Sequence, residues 1–217
     1  MEQPHRVRLF DEWARGYDQS VKKAGEFPFD GYERVLDEIA RAAGAHTGMT
    51  VLDLGVGTGN LAARFAALEC DLWGMDFSSE MLAKARERLP RAVLVQADLL
   101  RPWPNELARR FDRIVSAYVL HEFDLATQVH LLCRLAEGHL SPGGMIVIGD
   151  VAFSTTVERE RAHGEWEDLW DEDEHYWAAD EAAEACEIAG LHVTYTQVSR
   201  CGGVFVMEPL RTGHRAG

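Results

Sequence analysis

The chain has 217 residues, 47% of them apolar, and a formal net charge of −14. The apolar share excludes a disordered chain and is ample for a sizeable core. The acidity argues against a phosphate backbone or an anionic lipid surface as a partner. Four dispersed cysteines, Cys70, Cys133, Cys186 and Cys201, form no C-x-x-C pair and read as reduced thiols. The N-terminal MEQPHRVRLFDEW has no signal-peptide apolar region, and no apolar run is long enough to span a bilayer. A cytoplasmic location is expected.

In chain order, Phe10, Trp13, Ala14, Tyr17 and Val21 share the spacing of one helix face. KKAGEFPFDG is a loop with Gly and Pro as breakers. YERVLDEIARAAG predicts a second helix, with Tyr32, Val35, Leu36, Ile39 and Ala43 on its apolar side and Gly44 as its stop. From Met49 strands and helices alternate. MTVLDLG, DLWGMDF, RAVLVQADL, FDRIVSAYVL and GGMIVIGDV are strands. NLAARFAALE, the serine-capped SSEMLAKARERL and LATQVHLLCRLAEGHL are helices. Continuous apolar strands in this rhythm predict a parallel sheet covered on both faces. Residues 152–178 are rich in acid and tryptophan. EAAEACEIAG is a last helix, and HVTYTQV and GVFVMEP are close enough to form a hairpin around Ser199–Gly203, an antiparallel edge to the sheet.

The stretch VLDLGVGTGN poses the functional question. Glycines at 55, 57 and 59 follow a strand and open a helix, so a ligand belongs at that helix N-terminus. The dinucleotide fingerprint G-x-G-x-x-G does not fit the spacing, and no Lys follows to make a phosphate loop. Asp53 at the loop mouth would repel a pyrophosphate and suits an ammonium or a sulfonium. Asp76, ending the next strand, can accept hydrogen bonds from ribose hydroxyls, and Asp98, ending the third, from an adenine amino group. Three acids at three successive strand ends describe adenosine plus something cationic.

VLDLGVGTGN, GMDFSSEML, ADLL, FDRIVSAYVLHEF and LSPGGMIVIGD resemble, in order and spacing, the successive motifs of class I S-adenosylmethionine-dependent methyltransferases. FDEWARGYDQSV and HYWAADEAAEACEIAGLHVTYTQ with GVFVMEP are similar to a narrower group of small bacterial methyltransferases linked to methionine-to-cysteine recycling. The resemblance implies an α/β, Rossmann-like seven-stranded sheet of order 3-2-1-4-5-7-6, the last strand antiparallel. It implies one domain over 1–217: a helical cap (1–46), a cofactor-binding core (47–150), and a lid segment, last helix and hairpin (151–217). S-adenosyl-L-methionine is the implied cofactor. The glycines (Gly55, Gly57, Gly59, with Thr58) are placed against its methionine part and Asp53 on its amino group. Asp76 falls on the ribose, Phe77 and Met81 beside the adenine ring, and Ala97, Asp98 and Leu99 along the adenine edge. Ser116 lies under the methionine moiety, and Tyr17 closes over the cofactor.

Methyl transfer from a sulfonium asks the protein mainly to position an acceptor, and a general base only if the acceptor loses a proton early. His121 in YVLHEF is the candidate base or orienting group; the other reading is a histidine packing at a helix start. Glu122 reads as a helix-start charge or a partner of His121. Asp150, ending the fifth strand, is either a substrate contact or a cap. Tyr118 and Trp170 are further substrate candidates. EWEDLWDEDE carries seven acids in ten residues; it reads as an amphipathic helix with a solvated acidic face, or as a lid roofed by Trp166 and Trp170 whose acids attract a cationic substrate. His163 and His175 lack metal-ligand spacing, and no metal is assigned. The expected partner is a small-molecule methyl acceptor, with no nucleic acid and no membrane, the chain being a monomer or homodimer. Two alternatives remain: a non-catalytic binder of S-adenosylmethionine or S-adenosylhomocysteine, and a nicotinamide-dependent oxidoreductase on a similar sheet.

Overall fold

The computed structural model describes residues 16–22 and 27–210. Phe10, Trp13 and Ala14 of the first expected helix face lie outside the described residues. The elements in chain order are α1 (Tyr17–Lys22), α2 (Tyr32–Ala43), β1 (Thr50–Leu54), α3 (Ala62–Ala67), β2 (Asp71–Asp76), α4 (Ser79–Arg88), β3 (Val93–Gln96), β4 (Phe111–Ala117), α5 (Leu125–Gly138), β5 (Leu140–Phe153), α6 (Thr156–Glu165), β6 (Trp177–Ala178), α7 (Ala179–Ile188), β7 (Leu191–Gln197) and β8 (Gly202–Pro209). Short 3₁₀ turns stand at Asn105–Leu107, Leu120–Glu122 and Glu167–Leu169.

One sheet of order β3-β2-β1-β4-β5-β8-β7 organises the chain, with β6 paired to β5 off this path. This is the expected order once the two-residue β6 is counted. Strands β3 to β5 are mutually parallel. As in the expected order, the last strand, β8, is antiparallel to β5 and sits between it and the edge strand β7.

The period-2 alternation of each strand splits its residues between two cores. Val51, Val115 and Val147 face α2 with Val35, Leu36 and Ile39. Leu52, Ile114, Ile146 and Ile148 face the other layer, with Leu131 and Leu135 of α5 and Ala182 of α7. Both faces are covered, which is why the strands read as continuous apolar runs. Helix α2 ends as expected, at Gly44 in the left-handed conformation (φ 54°). Among the described residues no helix is long and apolar enough to cross a membrane.

The lid segment departs from expectation. Helix α6 begins at Thr156, capped by the Thr155 hydroxyl on the Glu158 N–H, and stops at Glu165. EWEDLWDEDE is therefore not an amphipathic helix but the end of α6, a 3₁₀ turn and irregular chain. Its tryptophans turn inward. Trp166 and Trp170 stack on Phe27 with ring centres 4.9 and 5.4 Å away, and Tyr176 meets Phe27 edge-on at 5.4 Å. This aromatic cluster fastens the segment before α2 to the lid segment.

Candidate active site

The C-terminal ends of β1, β2, β3 and β4 converge on a cavity of about 580 Å³, within the range of small-molecule sites. The sheet puts them there: Asp53 pairs with Gly74 of β2 and Val115 of β4, so consecutive strands end at one level. Glycine is required in the loop after β1. Gly55 has φ +66°, and a Cβ there would stand 2.5 Å from Val119 Cγ2. Val119, just past β4, thus lies directly on the loop backbone. Gly59 serves a different contact: a Cβ there would come within 2.9 Å of Leu89, so it lets the loop pack on the end of α4.

Asp53 is 2% exposed, and its Oδ2 has no hydrogen-bond partner among the described residues. Burial, and then the neighbouring charge of Asp76, hold its carboxyl well above the usual carboxylate range. The unpartnered oxygen is costly unless a ligand satisfies it. Beside it is a space of about 20 Å³, enough for roughly one water or a small cationic head. A cation bound there would favour the ionised form.

Asp76 braces the glycine loop. One carboxylate oxygen accepts the Gly57 N–H at 2.9 Å and the other the Ser78 N–H at 2.8 Å. Ser78 is fully buried and caps α4 through Met81 N. Phe77, Met81, Ala97 and Leu99 form an apolar slot on the same wall, and Asp98, folded onto Leu100 N at 2.8 Å, stands at its edge.

The cap closes the near side. Tyr17 lines the cavity, and burial, then Tyr32, push its phenol well above 10.0. Asp18 accepts from Thr58 Oγ1 at 2.6 Å, Asn60 Nδ2 at 3.0 Å and Arg88 Nη2 at 2.7 Å. Tyr118, on the far wall, sits at φ 56°, an unusual conformation for a bulky residue, and stacks on Tyr32 at 5.3 Å.

The cavity thus gathers Tyr17, Gly55, Gly57, Asp76, Phe77, Met81, Ala97, Asp98, Leu99 and Tyr118 of the expected residues; Asp53 and Thr58 lie at the adjoining small space. Gly59 and Ser116 line neither, and Ser116 Oγ donates to Leu54 O inside the sheet at 2.8 Å. Trp170 lines a different cavity, of about 320 Å³, with Glu174 and Arg159.

His121 and Asp150 are not at the cavity either. Asp150 is fully buried. Its Oδ2 accepts the N–H groups of Leu120 and His121, both at 3.1 Å, and Trp177 Nε1 at 3.3 Å. Its Oδ1 takes Val151 N at 2.8 Å and His121 Nδ1 at 2.5 Å. It is a cap with no capacity left for substrate. His121 Nε2 lies 3.5 Å from Glu174. Burial opposes the imidazolium, but Asp150 and Glu174 together push its pKa from 6.5 up to about 10. With Nδ1 on Asp150 and Nε2 facing Glu174, His121 joins β5 to the lid segment and is not among the residues that line the cavity.

Sequence reasoning missed Asp18, Asn60 and Arg88, whose contacts span distant parts of the chain; Glu122, read as a helix-start charge or a partner of His121, lines the cavity. The pair D18 and T58, both in motifs quoted for the resemblance, was the available signal for the first.

Comparison with known proteins places this arrangement in a class. A model of the methyltransferase domain matches residues 51–144. An uncharacterized methyltransferase of Geobacillus thermodenitrificans (strain NG80-2) is 35% identical over 216 residues, covering 94% of this chain and 95% of the relative. Another, of Bacillus cereus (strain ATCC 10987 / NRS 248), is 30% identical over 211 residues, covering 92% and 95%. Among solved structures, the DhpI–SAM–HEP complex aligns with a TM-score of 0.71 at 20% identity, covering 94% of this chain and 96% of that one. Magnesium protoporphyrin IX methyltransferase (ChlM) from Synechocystis PCC 6803 with bound SAH aligns at 0.69 and 15%, covering 93% and 98%. Both show the shared fold. The chain belongs to this family of class I, S-adenosylmethionine-dependent methyltransferases.

Proposed function

We propose that the chain transfers the methyl group of S-adenosylmethionine to a small-molecule acceptor. The observation that carries this reading is the cavity itself: it is walled by the glycine loop, the β2 and β3 ends and the β4 turn, with Tyr17 of the cap on its near side. A small molecule fits that space. The cofactor, when bound, supplies an electrophilic methyl on a sulfonium.

The chain's own residues bind and orient. Asp53 takes the cofactor's ammonium, which satisfies its unpartnered oxygen. Asp76, at the end of β2 on the cavity wall, accepts from the ribose hydroxyls. Phe77, Met81, Ala97 and Leu99 sandwich the adenine, with Asp98 at its amino edge. Gly55 and Gly57 let the methionine part lie on bare backbone. Tyr118 and Val119 bound the acceptor side, and α1 excludes water above. No side chain at the cavity is needed as a strong base, in keeping with in-line displacement at a sulfonium carbon. We read the whole chain as one methyltransferase domain with the cap, core and lid divisions expected above, acting in the cytoplasm.

The test is to incubate the protein with S-adenosylmethionine and a cell extract split into small metabolites and macromolecules, and to measure S-adenosylhomocysteine. Turnover with the small fraction is expected. Turnover with the macromolecular fraction alone would overturn the small-acceptor reading, and cofactor binding without turnover in either would make the protein a binder.

A further inference from the structure

We propose that Asp53 carries a proton until the cofactor's ammonium binds and gives it up then, so that cofactor uptake is coupled to proton release. The inference rests on the cofactor placement above and concerns what that placement asks of one side chain. Asp53 is 2% exposed, and its Oδ2 has no hydrogen-bond partner among the described residues. It lines a space of about 20 Å³ beside the glycine loop, and the described residues that line this space include no Lys, Arg or His.

A buried carboxylate without a cationic partner is costly, and taking up a proton removes most of that cost. The groups around Asp53 leave it that course. Tyr17 of α1 and Tyr32 of α2 line the space, and burial raises both phenols above their usual range, so neither is charged. The loop contributes Thr58 and Asn60, and β4 contributes Ala117. From β2, Asp76 acts against the ionised form, second to burial itself. One contact favours ionisation, the Ala62 N–H at the start of α3, and burial outweighs it. Arg88 lies beyond Thr58 and Asn60 and is paired with Asp18 at 2.7 Å. The space holds roughly one water, which does not replace the hydration shell of a carboxylate.

An ammonium changes the balance. It gives Oδ2 a partner, and in a site of low dielectric the pair is favourable only with the carboxylate ionised. The O–H bond of the Asp53 carboxyl breaks, its electron pair stays on the oxygen, and the proton leaves to solvent as the N–H donor takes its place. The net charge at this spot is the same before and after. In acid, protons therefore compete with the cofactor, and a nucleoside without an ammonium does not displace the proton. Asp18 does not confuse this exchange, because its hydrogen bonds hold its carboxyl below the usual range and keep it ionised.

The test is calorimetric titration of S-adenosylhomocysteine in buffers of different ionisation enthalpy, between about pH 5 and about pH 8. The dependence of the observed heat on the buffer counts the protons. The parent is expected to release about one proton per ligand at the acid end, with affinity rising about tenfold per pH unit while release is complete. 5′-Methylthioadenosine, which keeps the nucleoside and the thioether but lacks the amino-acid end, is expected to release none. Asp53→Asn, of the same shape and unable to ionise, is expected to bind more weakly, with no proton release and no such pH dependence. No release from the parent across the range, the same release with 5′-methylthioadenosine, or release that survives Asp53→Asn would overturn the proposal. Should Asp53→Asn not bind, the parent's proton count and the contrast between the two ligands still decide. Failure of S-adenosylhomocysteine to bind the parent at any pH would instead overturn the cofactor placement, before any proton is counted.

Discussion

Asp18 on α1 accepts a hydrogen bond from the Thr58 hydroxyl at 2.6 Å, joining the cap to the glycine loop. Burial opposes the Asp18 charge, but hydrogen bonds from Thr58, Arg88 and Asn60 pull its carboxyl below the usual range. The cap is therefore held by an ionised carboxylate, and it loosens as pH falls through that lowered value. Asp18→Ala is expected to raise the Kd for S-adenosylhomocysteine about fivefold, with Thr58→Val producing part of the same loss. Calorimetry on both single variants and the double checks this: the double variant should lose less than the sum of the two single losses.

The His121–Asp150 pair sets a prediction on the alkaline side. The His121 pKa is raised in the folded chain from 6.5 to about 10. Its contribution to stability is complete below about 6.5 and is lost as pH rises through about 10. Thermal unfolding between these limits should show falling stability, and His121→Gln should flatten that slope. His121→Ala strands the buried Asp150 carboxylate and should cost about 3 kcal/mol or more. It should leave S-adenosylhomocysteine affinity largely intact in the folded fraction. A selective loss of turnover at unchanged stability would return His121 to the chemistry.

Gly55→Ala combines a left-handed φ with a Cβ 2.5 Å from Val119. The strain is of the order of 1 kcal/mol for the backbone alone, and displacing Val119 deforms the wall between cofactor and acceptor. Binding of S-adenosylhomocysteine should weaken about tenfold or more, read by the same titration. Gly44→Ala, with a comparable φ of 54° but no neighbour within 4 Å, should lower stability without touching affinity.

Phe27 is 6% exposed and packs against Trp166, Trp170 and Tyr176. Phe27→Ala should cost about 3 kcal/mol in urea unfolding and shift tryptophan emission to longer wavelength as the two indoles meet water. An unchanged emission would mean that the cluster does not fasten the lid segment.

The sheet was legible because its cause is local. Val51, Leu52 and Leu54 alternate between two covered faces, and the helix after β2 carries the readable serine cap, Ser78. β6 was not legible: Trp177–Ala178 is a two-residue pairing with no periodicity. Nor was α6, which buries only Ala162 and so lacks an apolar stripe. In the site, Asp53 and Asp76 announced themselves by ending strands beside the glycine loop. His121 was visible as a residue past β4, but its role was not. That role depends on Asp150, 29 residues away in sequence, and on Glu174 in a segment with no regular structure. Glu122 had two readings, a helix-start charge or a partner of His121, and only the fold puts it on the cavity wall.

The most direct test of the account is a calorimetric titration of S-adenosylhomocysteine into the parent protein and into Asp76→Ala, with NAD as the control. Micromolar binding to the parent, a loss of about tenfold or more in Asp76→Ala and no binding of NAD are predicted. Equal affinity of parent and variant, or binding of NAD in place of S-adenosylhomocysteine, would contradict the placement of the nucleoside at the end of β2.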